Sequence, residues 1–286
     1  MSDLFGYLLT GAGTGAGFAL VASGMVVIYR VTRVVNLAQG GFAVIAAMLT
    51  STLLAGGLPH GLAEVTAVLA AGGAGLLVGV VAIGRPGTDP GSALIITLGL
   101  GVLAYAVEIT LWGDQPRSFA GLPGAATLGG ARIQVHYLLV IAVTVPVFVA
   151  LAVFFRRTDL GKALTACAQN PYAARVVGID VRRMGLLAFG LGGVLGGLAG
   201  VLLTPVQQIT FDSDVTLIVN GFAAAVLGGL TRPAVALTGG LLLGVAQTLI
   251  AGYGGGGFQL EIALLLILAV MVAQAVRAGA VREAVR

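Results

Sequence analysis

Residues Met184–Pro205 read MGLLAFGLGGVLGGLAGVLLTP and include no charged side chain. A helix of about 20 apolar residues is long enough to cross the hydrocarbon core of a membrane. Glycine recurs at every fourth position in Gly192, Gly196 and Gly200. That spacing puts small residues on one helix face, where another helix can approach closely in lipid. The segment therefore predicts a tightly packed transmembrane helix.

The rest of the chain has the same character. Of its 286 residues, 58% are hydrophobic and 9% are charged, and the mean hydropathy is +1.05. A soluble domain carries about 25% charged residues. This composition excludes an ordinary soluble enzyme, a disordered chain and a nucleic-acid-binding protein. It predicts an all-α polytopic membrane protein with one transmembrane domain over residues 1–286.

Uncharged stretches predict about nine transmembrane helices, within a range of eight to ten, of which the seventh is short. The predicted spans are Leu4–Tyr29, Leu37–Leu54, Ala63–Gly84, Ala93–Gly113, Val135–Phe155, Met184–Pro205, Val215–Leu230, Ala234–Gly252 and Leu260–Val276. Two connections are long. Asp114–Gln134 predicts an irregular cap or a short interfacial helix, and Arg156–Arg183 carries 8 of the 26 charges.

The basic residues predict the orientation. With the N-terminus outside, the inner loops hold 13 of the 15 Lys and Arg residues, and the outer loops hold only Arg117 and Arg132. Cytoplasmic loops carry the excess of positive charge in membrane proteins. We therefore expect an outer N-terminus, an extracytoplasmic loop at Asp114–Gln134, and a cytoplasmic loop at Arg156–Arg183. The C-terminus is expected in the cytoplasm. No basic segment precedes the first span, so a cleaved signal peptide is not expected.

Motifs for catalysis and cofactor binding are absent from the sequence. The only Gly-Lys pair, Gly161-Lys162, is followed by alanine and lacks the first glycine of a phosphate-binding P-loop. His60 and His136 stand alone in separate predicted loops, whereas a metal site needs several convergent ligands. We expect no metal, no cofactor and no catalytic residues. The single cysteine, Cys167, excludes an intramolecular disulfide.

The inner loop contains the segment TDLGKALTACAQNPYAARVVGI, Thr158–Ile179. Thr158 predicts the cap of a short helix over about Asp159–Ala168. Asn170 and Pro171 are typical of the start of a second helix, which would run to Val177 and end at Gly178. Small residues fill one side of the pair. That surface suits either docking into a groove of another protein or lying flat on lipid headgroups.

Three segments in the same order resemble the LivH-like permeases of ABC importers of the branched-chain amino-acid type. Within the inner loop the matching residues are Thr158, Leu160-Gly161-Lys162-Ala163, Ala166, Ala168-Gln169-Asn170, Ala173-Ala174 and Gly178-Ile179. The other two segments are Arg33–Gly40, RVVNLAQG, and Ala223–Leu230, AAAVLGGL, which is followed by Gly239, Gly240 and Gly244. Gly41 departs from the pattern, because the family often has an acid there.

The resemblance implies an importer in a bacterial cytoplasmic (inner) membrane. It implies two separate ATPase subunits on the cytoplasmic loops, a second permease subunit that usually forms a heterodimer, and an extracytoplasmic substrate-binding protein. ATP hydrolysis would then lie on a partner, in agreement with the missing P-loop, and the chain itself would not be an enzyme. The expected ATPase-docking residues are Gly161, Lys162, Ala163, Asn170, Ala173, Ala174 and Gly178.

Polar residues within the predicted spans, or flanking the start of one, are costly in lipid and are candidates for the translocation path. They are Asn36, Gln39, Glu108, Asn220 and Gln247. Each has a structural alternative: Asn36 and Gln39 as the cap or break of the second span, Glu108 as a carboxylate that reaches the headgroups, and Asn220 and Gln247 as hydrogen-bonding partners between helices.

A second function class remains open from the sequence. A stand-alone channel or secondary transporter for a small neutral solute would also be a polytopic helical protein. Coupled transporters usually place ionisable groups near the centre of the membrane. Glu108 is the only acid well inside a predicted span, so proton coupling has little support. A docking loop favours the ATPase-coupled permease.

Overall fold

The computed structural model describes residues 2–83, 89–128, 130–230 and 233–254, and seven separate residues between 261 and 272. Within these ranges the chain forms helices and one short two-stranded sheet. The elements are α1 Ser2–Thr32, α2 Gln39–Ala55, α3 Leu62–Ala82, α4 Pro90–Trp112, β1 Ala125–Leu128, β2 Ala131–Gln134, α5 Val135–Arg157, α6 Asp159–Gln169, α7 Pro171–Val176, α8 Val181–Leu203, α9 Ser213–Leu227 and α10 Pro233–Gly254.

Six of the described helices are long and apolar enough to cross a membrane: α1, α3, α4, α5, α8 and α10. Helices α2 and α9 are apolar but shorter, with 17 and 15 residues. Together these eight overlap the first eight predicted spans. The ninth predicted span, Leu260–Val276, lies largely outside the described residues. The described part of the chain thus confirms the prediction of a multi-pass helical protein.

Helix α1 is the centre of the bundle. Every residue from 13 to 28 is buried, and the helix packs against α5, α8, α9 and α10. It approaches α10 most closely where glycine faces glycine: a Cβ on Gly240 would lie 2.5 Å from the Gly15 carbonyl oxygen. Backbones can come this close only without side chains between them. The glycine spacing at Gly240 and Gly244 therefore serves packing within the chain.

Helices α3 and α4 lie at the edge of the bundle. Helix α4 buries only Ala93, Thr97, Gly101 and Glu108, which follow one stripe along its length. Most of its other large side chains, such as Ile95 and Leu111, are exposed, whereas Ile96 and Trp112 are half-buried. An exposed apolar surface of this kind is normal for a helix in contact with lipid.

The long connection between α4 and α5 differs from the prediction. Strands β1 and β2 form an antiparallel hairpin, with Ala125 paired to Gln134 and Leu128 paired to Ala131. Of the two predicted alternatives, the short interfacial helix is absent from the described residues of this connection, whereas residues 113–124 are irregular and lead into the hairpin. A Gly-Gly pair between two short segments is a recognised hairpin signal, and Gly130 has a φ of +81°. The backbone of Arg117 also pairs with that of Ile209, which anchors the connection to the α8–α9 segment.

The structure also corrects the predicted position of His136. The residue does not lie in a loop, because β2 leads directly into α5 and places His136 in the first turn of this helix. Its ring is buried, with Nε2 3.0 Å from the Leu202 carbonyl oxygen and Nδ1 accepting from the Leu122 amide at 3.2 Å. The histidine therefore fastens the connection between α4 and α5 to α8.

Candidate functional site

The inner loop begins with a capped helix at the end of α5. The Thr158 hydroxyl donates to the Phe154 carbonyl at 2.7 Å and accepts from the Gly161 amide at 3.0 Å. One side chain thus closes α5 and starts α6. This is the N-cap arrangement that satisfies an otherwise unpaired amide at a helix start. Helix α6 extends to Gln169, one residue beyond the predicted end.

Asn170 and Gly178 bound the second short helix, α7. The Asn170 side-chain oxygen accepts from the amides of Tyr172 and Ala173, both at 3.0 Å. Helix α7 ends at Val176, one residue earlier than predicted. Gly178 then takes a φ of +87°, a left-handed conformation that a residue with a side chain rarely adopts. The turn is closed by the Ile179 amide, which donates to the Ala174 carbonyl at 2.9 Å.

The small face of this helix pair points into the protein. Leu164, Cys167 and Ala174 belong to a buried cluster with residues of α1 and α8 such as Val27 and Met184. A Cβ on Gly161 would collide with the backbone of Phe154 and Phe155 on α5. Gly161 and Ala174 were expected to lie against a partner protein. They lie instead against their own chain, because the apolar side of α6 is buried on the bundle.

The outward face carries a different set of residues. Lys162, Asn170, Ala173 and Gly178 are exposed, whereas Ala163 is half-buried. Lys162 lies 3.4 Å from the Asp159 carboxylate in an exposed ion pair. Sequence reasoning missed four large apolar side chains that share this outward position. They are Leu160, Tyr172, Val176 and Val177, and the last three are between 73% and 75% exposed.

A signal for part of this face was present in the sequence. Tyr172 and Val176 are four residues apart and share one side of α7. Ala174 lies between them and points to the opposite side, where it is 3% exposed. A helix this short cannot bury both faces. We define the docking face as Leu160, Lys162, Tyr172, Ala173 and Val176.

Arg33 connects this loop to the α1–α2 connection. Its guanidinium donates to the carbonyl of Ala168 in the last turn of α6, at 3.1 Å. Positive charge at a helix C-terminus is favourable because the last carbonyls have no partner within the helix. Arg33 also has a φ of +60°, which is uncommon for a residue other than glycine. Arg33 thus connects the RVVNLAQG segment to the end of α6.

Asn36 and Gln39 form a buried polar group at the start of α2. Asn36 Nδ2 donates to Gln39 Oε1 at 3.2 Å, and Gln39 Nε2 donates to the Gly192 carbonyl of α8 at 2.8 Å. Asn36 Oδ1 accepts from the Ala38 amide at 3.1 Å. Thr97 of α4 contributes a further contact, since its hydroxyl accepts from the Leu37 amide at 3.3 Å. This group joins α2, α4 and α8 at one point.

Asn220 and Gln247 bond to each other across the α9–α10 contact. Gln247 Nε2 donates to Asn220 Oδ1 at 2.7 Å, and both residues are buried. The structural alternative, a hydrogen bond between helices, is therefore present. Asn220 also lines a cavity of about 260 Å³, whose other polar lining comes from Gln207, Gln208, Ser213 and Thr216. This cavity opens between α1, α9 and the α8–α9 connection.

Glu108 is fully enclosed by protein. Its side chain is 0% exposed, and within the described residues neither carboxyl oxygen has a hydrogen-bond partner. A carboxylate that reaches the headgroups would be exposed, so that alternative is wrong. Glu108 points toward α2: a Cβ built on Gly41 would be 3.7 Å from its Oε1. The polar candidates thus occupy separate places, and only Asn36 with Gln39 and Asn220 with Gln247 meet.

Comparisons with known proteins agree with this architecture. Residues 7–275 match the family model described as "Branched-chain amino acid transport system / permease component". The chain is 27% identical to the permease protein LivH of a high-affinity branched-chain amino acid transport system from Salmonella typhimurium, over 95% of each chain. It is 29% identical to the corresponding protein BraD from Pseudomonas aeruginosa, again over 95% of each.

A more distant likeness is to the autoinducer 2 import system permease protein LsrC from Enterobacter sp., with 30% identity over 62% of this chain and 48% of the relative. Among solved structures, a chain of PsaBC from Streptococcus pneumoniae in complex with Fab gives a TM-score of 0.53. That match is 14% identical and covers 92% of this chain and 90% of the other. It supports the fold alone.

The fold and the inner loop define a multi-pass membrane permease. The chain belongs to the family of permease components of branched-chain amino acid transport systems.

Proposed function

We propose that the chain is the transmembrane permease subunit of an ATP-driven (ABC) importer in a bacterial cytoplasmic membrane. It forms part of the translocation path for branched-chain amino acids or a related small polar solute delivered by an extracytoplasmic binding protein. A capped helix pair with an exposed apolar face, in a chain of this permease family that lacks a P-loop, carries the proposal. Two ATPase subunits and a second permease subunit complete the assembly.

The proposed topology has nine transmembrane helices, with the N-terminus outside and the C-terminus in the cytoplasm. The 13-to-2 division of basic residues between the two sides supports it. The β1–β2 hairpin then faces the binding protein. The docking face then lies in the cytoplasm.

In this proposal the docking face contacts an ATPase, with Asn170 and Gly178 shaping the helix pair at either end of α7. Tyr172 and Val176 supply apolar area, and Lys162 supplies a charge at the edge of the contact. Gly161, Ala163 and Ala174 act from the interior by letting α6 and α7 lie close to α5, α1 and α8. Arg33 passes a movement of α6 to the start of α2.

The proposed translocation path runs along the polar groups of α2, α4, α9 and α10. Asn220, hydrogen-bonded to Gln247, lines the cavity between α1 and α9. Asn36 and Gln39 lie at another point of the proposed path, where Gln39 donates to the Gly192 carbonyl of α8 and accepts from Asn36. The buried carboxyl of Glu108 has no partner in the described residues and is available to a polar group that enters between α2 and α4.

Co-purification tests the docking face directly. The tagged chain is expressed in its native host, extracted gently and analysed for accompanying ATPase subunits. Tyr172→Glu and Lys162→Glu are expected to lose the ATPase and ATP-driven uptake while the protein remains inserted. Arg182→Glu, a charge reversal at an exposed site in the first turn of α8, serves as the matched control. Gly161→Trp is unsuitable, since its side chain would collide with α5.

The result separates the two function classes. Retention of the ATPase by both docking-face variants would refute the role of this face. A wild-type chain that purifies alone, or only with copies of itself, would favour the stand-alone channel or secondary transporter. Solute flux through liposomes containing the purified chain would then measure that activity.

A further inference from the structure

A second cavity lies at the arginine-rich end of the bundle, away from the polar groups of the proposed path. It has a volume of about 360 Å³ and is lined by residues of α1, α5, α6 and α10. Arg30 from the end of α1 and Arg156 from the last turn of α5 both reach it, together with Thr165 of α6. Two guanidinium groups at one cavity favour an anion, and arginine is well suited to bind phosphate oxygens.

Apolar side chains of α5 also line this cavity. Phe148, Leu151, Ala152 and Phe155 line it, and all four belong to the inner half of α5. The exposed side of the same helix carries Val149 and Val153, which a surrounding bilayer would cover. A ligand that fits both the arginines and these apolar side chains therefore has an anionic head and an apolar tail.

The start of α10 adds to the positive field. Pro233 and Ala234 line the cavity, so the N-terminal end of a 22-residue helix faces it. Unpaired amides at a helix start carry a partial positive charge. The described residues that line the cavity include no acid. All the fixed charges that they contribute to this site therefore have the same sign.

We propose that this cavity binds the phosphate headgroup of an anionic phospholipid. Arg30 and Arg156 contact the phosphate, and the first part of an acyl chain lies along Phe148, Leu151 and Phe155. Basic pockets between transmembrane helices on the cytoplasmic side are a known way to hold such lipids. A phosphate from a soluble metabolite would use the same arginines but would leave the apolar side chains uncovered.

A lipid bound at this site also affects the inner loop, because the site lies beside α6. Arg156 and Thr165 lie on either side of the α5–α6 junction, whereas Arg30 and Pro233 belong to the central pair α1 and α10. A bound phosphate bridges these elements and holds α6 against the bundle. This inference goes beyond the proposed transport function and does not depend on the substrate.

Lipid retention by the purified full chain tests the proposal. The protein is extracted into detergent, and bound lipid is measured by native mass spectrometry. Thermal stability is then compared after addition of phosphatidylglycerol, phosphatidylcholine or soluble glycerol phosphate. The variants are Arg156→Gln, which removes a phosphate contact, and Ala152→Trp, which fills the apolar part. Arg157→Gln is the matched control, because it makes the same change at the next residue, which does not line the cavity.

Phosphatidylglycerol is expected to remain bound to the wild type and to raise its melting temperature more than phosphatidylcholine does. Arg156→Gln and Ala152→Trp should each reduce the retained anionic lipid at least about fivefold relative to Arg157→Gln. Equal retention in Arg156→Gln and Arg157→Gln would overturn the proposal. Stabilisation by glycerol phosphate as large as that by phosphatidylglycerol would assign the site to a soluble anion and would overturn the lipid assignment.

Discussion

The burial of the Glu108 carboxyl depends on the helix that packs against α4. In the sequence it is an acid near the outer end of a span, where a carboxylate can reach the headgroups. In the structure its side chain is fully buried between α4 and α2, beside Gly41. The two helices face each other here, so a carboxyl on either one can occupy the same space.

This placement predicts the effect of moving the acid. Glu108→Gln keeps the side-chain volume but removes the ionisable group. A hydrogen bond between neutral groups contributes about 0.5–1.5 kcal/mol, so we expect substrate uptake to fall about two- to tenfold with stability retained. Adding Gly41→Asp should restore part of the uptake, because a Gly41 side chain meets only ordinary contacts. Uptake assays with matched expression measure both steps, and wild-type uptake by Glu108→Gln would contradict the role.

Cys167 permits a test of the inward orientation of α6. Burial raises the pKa of its thiol, and the charge of Arg175 opposes this only partly. The thiolate is the reactive form, so a raised pKa and burial both slow modification. Maleimide labelling at neutral pH should be slow for Cys167 and fast for Ala173→Cys in a Cys167→Ala background. The Cys167 rate should rise with pH, and equal rates at neutral pH would mean that α6 exposes its small face.

At the scale of the helices, glycine decides which pairs approach closely. Helices α1 and α10 meet at Gly15 and Gly240, while α3 and α8 meet at Gly75 and Gly193. The repeated four-residue spacing indicates such contacts in the sequence. It cannot indicate which helix fills each groove, because the partner lies far away along the chain.

Two glycine-to-alanine changes give a matched test of this packing. A Cβ on Gly240 would lie 2.7 Å from that of Ala19, whereas one on Gly99 meets nothing within 4 Å. Overpacking costs about 1–3 kcal/mol, so Gly240→Ala should lower the free energy of unfolding by that amount. Gly99→Ala should be neutral or stabilising by up to about 1 kcal/mol through helix propensity. Denaturation in mixed micelles measures both, and equal effects would refute the tight α1–α10 contact.

Local sequence patterns were sufficient to predict the two short helices α6 and α7. Thr158, Asn170 and Gly178 act within four residues of their own positions, so the sequence alone indicates the bounds of α6 and α7 to within a residue. The β1–β2 hairpin was missed, although Gly129-Gly130 was a usable signal. Proline and glycine elsewhere in that connection obscured the signal.

For the whole molecule, the charge distribution makes a topological prediction. In a Cys167→Ala background, a membrane-impermeant maleimide should label Asp114→Cys in intact cells. It should label Ala173→Cys only after the membrane is opened. Both positions are exposed in the structure, so in cells that lack the partner ATPase access to the reagent differs only by side. Labelling of Ala173→Cys in intact cells would reverse the proposed orientation.

The sequence by itself determined the membrane class, the first eight apolar helices and the caps of the inner loop. Each of these depends on a residue's own transfer to lipid or on hydrogen bonds to near neighbours in the chain. Only the tertiary structure decided that the small face of α6 points inward, that Tyr172 and Val176 face outward, and that Glu108 lies beside Gly41. These outcomes depend on contacts between distant segments, which a local pattern does not contain.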